Sequence, residues 1–77
     1  MIDSRPHRIL DVCNLPAPEP MVRILEVVAT LYPGETLFVT HNRIPHLLYP
    51  RLKERGLEVE TEESTDGGVK LKIRRPH

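Results

Sequence analysis

A single cysteine, Cys13, serves the whole 77-residue chain. That rules out an internal disulfide, and with it any structural zinc site built on two or more thiolates. A lone thiol suits a reducing compartment, so a cytoplasmic location is expected. Net charge is also missing, because eleven basic residues balance eleven acidic ones. A nucleic-acid binder normally carries a basic excess or a basic face, so no nucleic-acid role is expected. An acidic tail and a polybasic membrane anchor are excluded on the same ground. No apolar run approaches the roughly 20 residues of a membrane span, and Met1-Ile2-Asp3-Ser4-Arg5-Pro6 has no apolar core of signal-peptide length. No Gly-rich phosphate loop, Ser/His/Asp set or paired carboxylates occur, so catalysis by this chain alone is not expected. Nothing in the pattern calls for a cofactor.

What is present reads as one small domain preceded by a flexible lead-in over residues 1–7. Eight prolines stand singly at the ends of periodic segments rather than in a low-complexity tract. Residues 8–13 alternate weakly, with Leu10 and Val12 on one face, and predict a short strand. Pro16, Pro18 and Pro20 follow. Each fixes its own φ and biases the residue before it away from the helical region, so residues 14–19 are expected to be extended and stiff. Pro20 is then suited to the first turn of a helix, with Glu19 where the helix dipole favours a carboxylate. Met21, Ile24, Leu25, Val28 and Leu31 keep helical spacing, and Tyr32-Pro33-Gly34 ends the helix.

Residues 36–41 are β-branched and aromatic and predict a second strand, with Leu37, Val39 and His41 on one face. Asn42 is a candidate cap for a second helix over 45–55, whose apolar stripe is Ile44, Leu47, Leu48 and Leu52. Pro50 inside that helix predicts a kink or a late regular start. Two alternating segments, 57–62 and 69–74, flank Thr65-Asp66-Gly67-Gly68 and predict a hairpin. Glu58, Glu60 and Glu62 on one strand oppose Lys70, Lys72 and Arg74 on the other, a neutralised open face rather than a binding patch. The order β-α-β-α-β-β defines an α+β domain over 8–77. It is a two-layer α/β sandwich with a mixed four-stranded sheet and two helices on one face. Edge charges on the last two strands favour a monomer.

The Leu10-Asp11 strand, the Pro18-Glu19-Pro20 helix start and the Pro33-Gly34-Glu35-Thr36-Leu37 approach to the second strand resemble the TusA/SirA sulfur-carrier family. The nearest resemblance is to a TusA-like branch that reads LDV-x-x-LPxPEP and has a second helix like Pro45-His46-Leu47-Leu48-Tyr49-Pro50. It covers nearly the whole chain and implies the same sandwich. The sulfur carriers of that family place a reactive cysteine immediately before the first proline of a Cys-Pro-x-Pro motif. Here the position is Ala17, which cannot carry sulfur. The resemblance therefore implies the scaffold and a protein-docking surface, not the persulfide chemistry. By element order alone, the C-terminal domain of translation initiation factor three is also similar.

Three functions are open at this point. The first is a non-catalytic interaction or binding module in redox, sulfur or metal metabolism. Its contact surface would be Leu15, Pro16, Ala17, Pro18, Glu19, Pro20 and Met21, meeting a protein partner; a pre-stiffened loop loses little entropy on docking. The second is sulfur transfer through a persulfide on Cys13, whose bland alternative is a small, partly buried apolar residue. The third is a metal or haem site built on His41 and His46, two imidazoles forming a partial ligand set. Asp11 is expected to anchor the proline turn by accepting backbone N–H bonds. His7 and His77 are expected to be solvated chain-end residues.

Overall fold

In the computed structural model, which describes residues 7–77, the chain runs β1 (His7–Asp11), α1 (Glu19–Val28), β2 (Thr36–His41), α2 (Leu48–Glu54), β3 (Glu58–Glu63) and β4 (Val69–Arg74). The expected lead-in falls outside the described residues except at His7, which is the first residue of β1. There its ring packs edge-on against Phe38, with centroids 6.0 Å apart.

The sheet order is β1-β2-β4-β3. β1 pairs parallel with β2, while β4 lies antiparallel between β2 and β3. Alternation explains why β4 is central. Val69, Leu71 and Ile73 all turn to one face and are buried, whereas β3 has only Val59 half-buried. The hairpin register sets Glu58 against Arg74, Glu60 against Lys72 and Glu62 against Lys70. Arg74 and Glu58 form an ion pair at 2.9 Å. The facing acidic and basic rows are thus cross-strand neighbours.

The core lies on one side of the sheet. Leu37 and Val39 of β2 and Val69, Leu71 and Ile73 of β4 meet Ile24 and Val28 of α1 and Leu48 and Leu52 of α2. Each such side chain contributes roughly 1.5–3 kcal/mol of apolar burial. Beyond the helix, a tight turn carries the chain through Leu31, which remains buried. Gly34 then adopts φ 84°, a left-handed value that favours glycine, and the His77 ring sits against it.

Two local expectations are corrected. Residues 14–19 are not extended: Leu15 N–H donates to the Val12 carbonyl and Glu19 N–H to the Pro16 carbonyl, making two successive turns. The Ala17–Pro18 peptide bond is cis. Proline restricts φ but leaves the turn conformations open, and these are what bring the chain round to α1. The second helix is also shorter than 45–55. It starts at Leu48 behind a turn in which Leu48 N–H donates to the Pro45 carbonyl. Pro50 consequently falls in the first turn, where no N–H partner is needed, and the late start replaces a kink. Asn42 does not cap this helix, which lies too far along the chain. Leu47, expected on its apolar stripe, is exposed.

Candidate functional site

The proline turns and the loop after β2 face each other across a cleft of about 310 Å³. Leu15, Ala17, Pro18, Pro20 and Met21 form one wall, and the loop from Asn42 to Leu48 forms the other, with His41 also lining the cleft. The walls are predominantly apolar. Local bonding explains how they come together. Val12 N–H donates to the Thr40 carbonyl at 3.0 Å, continuing the pairing of β1 with β2 past the end of β1. Asn42 Nδ2 donates to the Cys13 carbonyl at 3.1 Å and ties the loop to the turn after β1. Asp11 accepts the Cys13 N–H at 2.9 Å, the anchoring role expected for it. These bonds hold the starts of the two turns side by side.

His41 and His46 therefore share a cleft with the proline segment, which sequence spacing alone does not reveal. His41 is buried, while His46 is exposed at the mouth. Burial first, aided by the Arg43 charge and opposed by the contact with Asn42, lowers the His41 pKa from its ordinary 6.5. Its Nδ1 lies 3.2 Å from the Arg43 N–H and 3.2 Å from Asn42 Oδ1. The first contact needs a lone pair on Nδ1 and the second a proton, so the ring's tautomer selects between them. Among the described residues, no group of three or more His, Cys, Asp or Glu side chains is placed to hold a metal ion. His41 and His46 are a partial set at most.

Cys13 is half-buried and lies outside this cleft. It borders a separate groove with Ser64, Asp66 and Gly68 of the hairpin turn. Its thiol is pushed above its ordinary 9.0, first by hydrogen bonding to Asp11, then by desolvation and the charges of Asp11 and Asp66. A reactive thiolate needs the opposite setting. Glu19 sits in the first turn of α1 and makes no side-chain capping bond.

The sequence analysis missed a second polar cluster, at the opposite end of β1. Glu35, buried, accepts from Arg8 Nε at 2.9 Å and from the Tyr32 N–H at 2.9 Å. Arg8 also donates to Thr30 Oγ1 at 2.7 Å. The Arg8 guanidinium first, and then the Tyr32 N–H, hold that carboxyl below its ordinary pKa. These contacts join β1, the end of α1 and the approach to β2. No signal in the sequence pairs residues so far apart.

Fold and cleft together define a small α+β domain of the SirA-like type, with a stiff proline turn at the start of its first helix. A solved SirA-like protein from Desulfitobacterium hafniense superposes with a TM-score of 0.78 at 18% identity, over 91% of this chain and 99% of that one. At that identity the likeness is one of fold. The chain belongs to the family described as "Uncharacterized conserved protein (DUF2249)", whose profile matches residues 9–75. No curated protein matches it at the same stringency. No helix among the described residues is long and apolar enough to cross a membrane.

Proposed function

We propose that this chain is a non-catalytic binding module that engages a protein partner through the cleft between the proline turns and the loop after β2. One observation carries this reading: Leu15, Ala17, Pro18, Pro20 and Met21 of the expected contact surface, though not Pro16 or Glu19, line one mostly apolar cleft with the 42–48 loop, where Leu47 is 75% exposed. An apolar concavity with a few polar groups is the usual form of a binding site. Prolines on both walls limit the entropy lost on docking. The resemblance of the scaffold to sulfur carriers, with Ala17 where their cysteine stands, agrees with docking retained and carrier chemistry lost. A setting in redox, sulfur or metal metabolism, in the cytoplasm, follows by that analogy. The test is an NMR screen with small apolar fragments. Shifts confined to the amides of Leu15, Met21, Ile44 and Leu47 are expected, and shifts confined to the open sheet face would sink the reading.

A metal or haem site is the second reading, supported by the common cleft of His41 and His46. It predicts an absorbance change on titration with haemin or a transition-metal ion, lost in His41→Ala or His46→Ala. Sulfur transfer at Cys13 draws no comparable support, because the thiol's surroundings disfavour its ionised form.

A further inference from the structure

The lining of the cleft has a charge bias that the chain as a whole lacks. Eleven acidic residues balance eleven basic ones over the sequence. Yet the titratable side chains that line the cleft, His41, Arg43 and His46, are all of the basic type, and no acid lines it. Glu19 belongs to the same segment as Pro18 and Pro20 but does not line the cleft. The acids of the hairpin are taken up elsewhere, with Glu58, Glu60 and Glu62 opposite Arg74, Lys72 and Lys70.

The three bases are differently placed. His41 is buried, and its Nδ1 already meets Asn42 and the Arg43 N–H. Arg43 and His46 are exposed, and among the described residues neither side chain has a hydrogen-bond or ion-pair partner. An unpaired guanidinium is a planar fork of N–H donors that fits a carboxylate bidentately. Leu47, Ala17 and Pro18 are exposed and extend the apolar surface outward from the cleft. A small organic acid seated in about 310 Å³ would leave those side chains in water, whereas a protein segment laid along the walls covers them. No Phe, Tyr or Trp lines the walls, so a stacking platform for nucleic-acid bases is missing.

We propose that the cleft takes an acidic, apolar segment of a partner protein: leucine-like side chains enter the cleft while a neighbouring carboxylate pairs with Arg43. This rests on the reading of the cleft as a contact site and adds the chemistry of its occupant. The His46 ring, at the mouth, donates an N–H to a second carboxylate of the same segment. His41 stays buried and takes no part in the ion pair. The apolar side chains supply most of the affinity, and the charge at the rim steers the encounter and selects among apolar segments. A basic segment is refused because it sets a like charge against Arg43. One cleft of this size buries less than a standard interface, so the complex is of the transient class.

Amide NMR titration of the full chain with two synthetic peptides reads the preference. Both carry a pair of leucines, flanked by aspartates in one and by lysines in the other. The acidic peptide is expected to bind about tenfold more tightly at low salt, with shifts at Leu15, Met21, Ile44 and Leu47. The gap narrows at about 0.5 M salt. Arg43→Glu reverses the preference. Arg51→Glu, exposed on α2 outside the cleft lining, changes the net charge equally and leaves the preference intact. Equal binding of the two peptides at the cleft overturns the acidic preference and leaves the contact reading standing. So does an Arg51→Glu effect as large as that of Arg43→Glu. Octanoate or a single-stranded oligonucleotide that binds the cleft more tightly than the acidic peptide overturns the choice of a protein segment. Silence of the cleft amides with both peptides overturns the inference alone, and silence with apolar fragments as well takes the contact reading with it.

Discussion

At the residue scale, burial and partners decide what each titratable group contributes. His41 is buried and its pKa is lowered by that burial, so the unfolded chain binds a proton more readily than the folded one. Stability from this group is complete above the ordinary value of 6.5 and declines as pH falls below it. NMR titration of the four imidazoles is expected to give His41 a midpoint below 6.5. Glu35 has the same sign at lower pH. Its folded pKa is depressed, so its contribution is present above its ordinary value and lost as pH falls through the depressed one. Glu35→Gln is expected to lower stability at neutral pH and to flatten the acid limb of the stability–pH curve, read by urea unfolding at several pH values. Cys13 is expected to alkylate more slowly than a free peptide thiol at neutral pH. Labelling as fast as the peptide would restore the sulfur-carrier reading.

At the element scale, the short helix α2 is fixed by what lies inside it. Leu48 and Leu52 are fully buried, one turn apart, and anchor it to the sheet. Leu52→Ala is expected to cost about 2–5 kcal/mol in urea unfolding, through lost burial and the cavity left behind. Leu47→Asp, one residue before the helix, is expected to leave stability within about 0.5 kcal/mol, because that side chain is already in water. The pair of variants separates the packing role of the segment from the contact role proposed for it. Gly34→Ala is expected to destabilise the approach to β2, since the new Cβ would meet the His77 ring and the residue holds a positive φ. Thermal melts of that variant beside Gly56→Ala, where the φ is also positive but the space is open, separate steric conflict from backbone strain.

For the whole molecule, the two edges of one sheet have different chemistry. The β3 edge is shielded by carboxylates whose opposing bases lie inward on β4. On β1, the other outer strand of the described sheet, Ile9 is exposed. The cleft proposed as the contact site lies at the C-terminal ends of β1 and β2, on the side of the sheet that carries the helices.

Periodicity and turn chemistry determined the elements and their order without help from the fold. Alternation marks β3 and β4, helical spacing marks α1, and Thr36–His41 is legible from its β-branched and aromatic residues because those patterns are local. The paired charge rows follow from the same alternation and a single turn. Three features required the tertiary structure. The two successive turns over residues 12–19 depend on hydrogen bonds to the Val12 and Pro16 carbonyls, and proline content alone does not choose between turn and extension. The cleft that unites Ala17, His41 and His46 depends on Asn42 bonding to the Cys13 carbonyl, 29 residues away. The position of β4 between β2 and β3, which exposes β1, depends on which strand buries more apolar surface when all four compete for the same two helices. Sequence patterns describe each strand singly, and strand order is a property of their competition for one core.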